Sequence, residues 1–171
     1  MAQFFTFTAI TENSPGVLHR ITGLFTRRKI NIESLSVSET EKKGISRFTI
    51  VVETEKDLAD IVVKQMRRVI EVVDAYVCRN SHLVFREVAL IKVATDSSEK
   101  RSEIEDLTNR YNASISYGDN ERLIVEVTGT DQEISALNLL LEPYGVEEFI
   151  RSGRVALLKG KRVAGERYLD N

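Results

Sequence analysis

Twice along this chain the same succession of patterns recurs: strand, helix, strand, strand, helix, strand. Over residues 3–79, Phe4–Thr11 is rich in aromatic and β-branched residues and reads as a strand. A helix to about Arg28 follows, with Ser14 as its N-cap, Pro15 in its first turn and Val17, Leu18, Ile21, Leu24 and Phe25 at helical spacing. Ile30–Ser38 reads as the next strand, its alternation slipping near Ser34 in the manner of a bulge. A loop at Glu39–Gly44 leads to Ile45–Glu53, where Phe48, Ile50 and Val52 share one face. Thr54 is positioned to cap a second helix with Leu58, Ile61, Val62, Met66 and Val69 on its stripe, and Val72–Arg79 closes the unit. This order predicts an α+β ferredoxin-like sandwich of one sheet and two helices.

The second half repeats the order with little residue identity. Its strands are Glu87–Thr95, Ala113–Tyr117, Glu121–Thr128 and Gly145–Arg151, and its helices Ser98–Tyr111 and Asp131–Tyr144. A turn at Ser152-Gly153 leads to a last strand, Val155–Leu158. The expected boundaries are therefore a first domain at 1–79, a linker at 80–84, a second ferredoxin-like domain at 85–159 and a polar tail at 160–171.

Composition narrows the function classes. A hydrophobic fraction of 42% with 29% charged residues fits packed domains. The net charge of −2 gives no general attraction to nucleic acid or anionic lipid. The single cysteine, Cys78, rules out an intrachain disulfide, and no apolar run approaches the ~20 residues that span a bilayer. The expected setting is the cytoplasm. Neither a nucleophile–base pair nor a metal-ligand cluster stands out, so no catalytic or metal site is expected. His19 falls off the apolar stripe and reads as exposed, and His82 as a turn residue. Lys43-Gly44-Ile45-Ser46-Arg47-Phe48 partly resembles an RNA-binding strand motif. However, Ile45 and Arg47 stand where stacking rings are needed.

The informative stretch is Glu12-Asn13-Ser14-Pro15-Gly16-Val17-Leu18 together with Asn31-Ile32-Glu33-Ser34-Leu35. Free N–H groups at Gly16–Leu18 suit a carboxylate, and Gly16 lets a ligand approach the backbone. Asn13 and Asn31, expected at one rim of the fold, offer carbonyls to an ammonium and N–H donors to a carboxylate. Val17 and Leu18 are placed to border a small apolar pocket. A site of this kind holds a small zwitterion and has no group to transform it. The second half has Asp96-Ser97-Ser98-Glu99 at the equivalent turn, which repels a carboxylate. The basic cluster Arg20, Arg27, Arg28 and Lys29 is read both as a solvated helix face and as a candidate surface for an anionic partner.

The turn Asn13–Leu18 in a βαββαβ unit resembles the ACT domain, a ligand-sensing module of amino-acid metabolism. Together with Ile21-Thr22-Gly23-Leu24-Phe25, Arg28, Asn31–Leu35, Arg47-Phe48-Thr49-Ile50, Arg86-Glu87 and Arg151-Ser152-Gly153, it is similar to the regulatory small subunits of acetolactate synthase over nearly its whole length. Lys29 departs from the Gly that many members carry there. The resemblance implies a non-catalytic subunit, itself without cofactor. It would activate a catalytic large subunit that carries thiamine diphosphate, Mg and FAD, and confer feedback inhibition by valine or another branched-chain amino acid. It further implies that Asn13, Pro15, Gly16, Val17, Leu18, Asn31 and Ile32 form the effector site, shared across a homodimer. The alternative is an ACT-type sensor for a different metabolic enzyme.

Overall fold

A computed structural model describes residues 2–160. It contains two compact units, one formed by residues up to Phe85 together with those from Arg154 onward, the other by Arg86–Gly153.

The first unit runs β1 (Gln3–Glu12), α1 (Val17–Thr26), β2 (Ser34–Glu39), β3 (Ile45–Thr54), α2 (Lys56–Met66) and β4 (Val72–Arg79). Its sheet has the order β2-β3-β1-β4, as the βαββαβ pattern requires. Phe7 pairs with Ile50 on one side and Val77 on the other, so their side chains point the same way. That face carries Phe5, Phe7, Ala9, Phe48, Ile50, Val52, Ala75 and Val77, and the two helices cover it. The rings of Phe7 and Phe25 meet edge to face, 5.2 Å between centroids. Fully burying one such side chain contributes about 1.5–3 kcal/mol.

Several local expectations give way to tertiary demands. β2 begins at Ser34, and its register with β3 runs unbroken from Ser34↔Val51 to Glu39↔Ser46, so there is no bulge. The slip in alternation arises because Ile30 and Ile32 pack against the core from a loop. Thr54 stays in β3 opposite Gln3, and Glu55 becomes the N-cap of α2. The buried stripe of α2 is Ala59, Val62, Val63 and Met66, leaving Ile61 outside it.

The end of α1 explains Lys29. Lys29 N–H donates to Thr26 O and Ile30 N–H to Phe25 O, a Schellman closure. It places Lys29 at φ 55°, in the left-handed region. A non-glycine residue is strained there. Lys29→Gly is therefore expected to stabilise the first unit by about 1 kcal/mol, read as a higher urea midpoint with an unchanged slope.

The opposite face of this sheet is also covered. Tyr76, Cys78, Leu83 and Ala156 form a second buried cluster, with Phe85 and Leu158 against it. β9 (Val155–Leu158) thus belongs to the first unit, whereas the sequence pattern assigned it to the second half. Burial pushes the Cys78 thiol up to about 12, so it stays protonated and unreactive. Arg47 donates to Tyr76 Oη and Ala156 O, and Thr6, Thr8, Ser46 and Thr49 are buried. No open platform for base stacking exists on this sheet.

A short 3-10 turn, Asn80–His82, leads straight into β5 (Leu83–Ala94), which leaves no separate linker at 80–84. The second unit continues with α3 (Ser98–Arg110), β6 (Ser114–Gly118), β7 (Arg122–Gly129), α4 (Asp131–Leu141) and β8 (Val146–Arg151). Its path order, β6-β7-β5-β8, repeats that of the first sheet. Ile91, Val93, Leu123 and Val125 from the sheet pack against Ile104, Ile134, Leu137 and Leu141 from the helices. Thr130 and Glu133 form a capping box at the start of α4. The last turn before Gly145 tightens to a 3-10 helix containing Pro143. Among the described residues no helix is long and apolar enough to cross a membrane. The polar tail expected from 160 onward lies, from 161, outside the described residues.

Candidate functional site

The β1–α1 turn is built differently from its sequence reading. Ser14 does not cap the helix. Gly16 occupies the N-cap position at φ 84°, and its carbonyl accepts the first helical hydrogen bond, from Arg20 N–H. Gly is required there for its left-handed backbone. A Cβ would find only Arg20, 3.5 Å away, so space is not the constraint. Asn13 N–H donates to Gly44 O, which straps the turn to the β2–β3 hairpin. Glu12 N–H donates to Glu71 O, which fixes its other side.

Around this frame, Asn13, Pro15 and Gly16 are exposed. Val17 is a core residue, 2% exposed, so its side chain does not border an open pocket. Leu18, 45% exposed, is the apolar group the turn presents. The N–H groups of Gly16, Leu18 and His19 meet no acceptor among the described residues. They form a small donor surface at the positive end of α1.

One contributor escaped the sequence reading. Arg20 lies one helical turn beyond Gly16, and its guanidinium reaches back over the glycine while donating to Glu71 Oε1 at 2.6 Å. This half-exposed ion pair adds little stability. Its effect is to hold a cation beside the free N–H groups. The spacing Gly16–Arg20 is the signal that could have found it.

Asn31 is elsewhere. β1 and β2 both run antiparallel to β3, so they are parallel to each other, and α1 returns the chain to the end where β1 began. Ser34 lies level with Val51 and hence with Thr6, whereas Asn13 lies beyond Glu12 at the other end. At about 3.4 Å per strand residue, the two Asn residues are roughly 20 Å or more apart. The common rim expected from the sequence does not exist within one chain. Asn31 is exposed, and its amide donates to Glu33 Oε1 at 2.7 Å. Ile32 is half-buried against the core.

No group of three or more metal-ligating side chains occurs among the described residues. At the equivalent turn of the second unit, Ser97 caps α3 through Lys100 N–H, and Asp96 pairs with the Lys100 ammonium. That pairing holds the Asp96 carboxyl below its usual range. The turn therefore places a negative charge where the first unit presents donors.

Comparison with known proteins decides the family. The sequence profile of the AHAS small subunit-like ACT domain matches residues 7–74, and that of the small subunit of acetolactate synthase matches residues 86–160. The acetolactate synthase small subunit of Bacillus subtilis is 41% identical over 162 residues, covering 94% of this chain and 92% of that protein. This chain belongs to the acetolactate synthase small-subunit family. The small subunit of Mycolicibacterium smegmatis is 39% identical over 160 residues and covers 94% of each chain. The crystal structure of the acetolactate synthase small subunit from Thermotoga maritima superimposes with a TM-score of 0.85 at 33% identity, covering 94% of this chain and 99% of that one. Membership in the acetolactate synthase small-subunit family makes the first unit an ACT domain and the chain a regulatory partner of a catalytic subunit.

Proposed function

We propose that this chain raises the activity of the catalytic subunit of acetolactate synthase and confers feedback inhibition by a branched-chain amino acid, valine foremost. The effector carboxylate is held by the N–H groups of Gly16 and Leu18 with Arg20 beside them, its ammonium by the Asn side chains, and its side chain against Leu18 and Ile32. Thiamine diphosphate, Mg and FAD, with the chemistry, are assigned to the catalytic partner.

The observation that carries this reading is the opposite placement of the two Asn residues. β2 is an edge strand with open backbone groups, and Val37 on it is 44% exposed. The β2–β3 hairpin at one end holds the Asn13 turn through Gly44, and Asn31 precedes β2 at the other end. Pairing β2 with β2 of a second copy about a two-fold axis brings the Asn31 end of one protomer to the Asn13 end of its partner. Two composite sites result. Effector binding then favours one dimer arrangement, and with it one state of the catalytic partner.

The test is separation of functions. Gly16→Asp and Asn31→Ala are each expected to remove valine inhibition of the reconstituted enzyme while leaving its activation by this chain. The first places a carboxylate where the effector's must lie, and the second removes an amide contact. Equal loss of activation and inhibition in both variants would contradict the separation.

A further inference from the structure

Between α1 and α2 lies an open cleft of about 490 Å³, bordered by Leu24, Arg27, Arg28, Gln65 and Arg68. Three guanidinium groups meet there, and no carboxylate borders it. Arg28 has a local role, donating to Leu24 O at 3.0 Å near the negative end of α1. Arg27 and Arg68 are exposed, and their guanidinium groups make no hydrogen bond or ion pair with any described residue. Two other helix cations in this unit are neutralised, Arg20 by Glu71 and Lys64 by Asp60. A chain of net charge −2 thus keeps an uncompensated positive cleft on the helical side of its ACT domain.

The same surface has an apolar component. Ile61 and Gln65 follow at i and i+4 on one stripe of α2, and Arg68 lies in the turn directly after the helix. Ile61 is 44% exposed and Ile70, just beyond the helix, 96% exposed. A small polyanion has no use for these isoleucines. A protein surface carrying acidic and apolar side chains uses both, with Arg as the favoured interface cation.

We infer that this cleft docks an acidic, partly apolar surface of the catalytic subunit, with Arg27 and Arg68 as its charge contacts. The inference rests on the reading of the chain as a regulatory subunit. It also separates the surfaces by role, with the effector turn and β2 edge serving the dimer and the helical face serving the enzyme.

The experiment titrates the full chain into purified catalytic subunit by calorimetry at low and high salt. It compares wild type with Arg27→Glu/Arg68→Glu and with the milder Arg27→Gln/Arg68→Gln. Charge reversal is expected to weaken Kd at least about tenfold at low salt, neutralisation by less, and both to flatten the salt dependence. Valine binding and melting temperature should stay at wild-type values, because neither arginine touches the effector turn or the core. A Kd within about twofold of wild type for both variants at low salt would overturn the docking assignment alone. A wild-type chain with no affinity for the catalytic subunit would overturn the regulatory reading, and the docking surface with it.

Discussion

Gly16→Asp and Asn31→Ala chains, each unable to bind valine alone, are expected to recover binding when mixed. The reason is geometric. Within one protomer Asn31 and the Gly16 turn lie at opposite ends of the sheet, so a site using both draws them from two chains. In a mixed dimer, one site receives both substitutions and the other receives none. Random exchange makes half of the dimers mixed, which restores about a quarter of the sites. Calorimetry before and after exchange reads this as the reappearance of a wild-type Kd at about a quarter of full stoichiometry. The effect is large because each parental dimer starts near zero. Unchanged silence after verified exchange would place the whole site in one chain.

Replacement of Arg154 should be among the most destabilising single changes in the first unit. The residue is 4% exposed, yet its Nη1 donates to Asn80 Oδ1 at 2.8 Å and to Thr6 Oγ1 at 3.3 Å. Its guanidinium lies 3.9 Å from the centroid of the Phe85 ring, and its N–H donates to Ser34 Oγ. It therefore fastens the returning strand β9 to β1, β2 and the turn after β4. Arg154→Ala leaves buried oxygens without donors and a void beside Phe85. A loss of about 2–4 kcal/mol is expected, measured as a lower urea midpoint for the first unit. Arg154→Lys should recover part of it, since an ammonium reaches one acceptor but does not match the planar fork. A change below about 0.5 kcal/mol for Arg154→Ala would show that β9 is held by its apolar contacts alone. Chain 1–79 lacks β9, Leu83 and Phe85, so Tyr76 and Cys78 would be exposed in it. A minimal first unit is better made by replacing 86–153 with a short glycine-rich turn.

The two sheets were legible in the sequence because period-2 runs such as Phe5, Phe7, Ala9 and Phe48, Ile50, Val52 survive unchanged in the core. Less legible were features in which one residue answers two demands. Thr54 has a good capping side chain, but its place opposite Gln3 keeps it in the ladder. Gly16 read as room for a ligand, and its backbone angle turned out to be the requirement. Lys29 looked like a departure of side chain, and it is a departure of backbone strain. The four residues of β9 carry no mark of their packing beside Tyr76 and Cys78. Most consequential was Asn31. Sequence proximity to Asn13 suggested one rim, but β1 and β2 run parallel, so the return through α1 places β2's start at the far end. The candidate residues were thus named one by one, while the separation of Asn13 from Asn31 within one chain follows from topology.

The most direct test is reconstitution of purified catalytic subunit with and without this chain, following acetolactate formation as valine is added. The chain alone should be inactive, its addition should raise the rate, and valine should lower that rate only when the chain is present. An unchanged rate on addition, or equal valine inhibition without the chain, would contradict the assignment of regulation to this subunit.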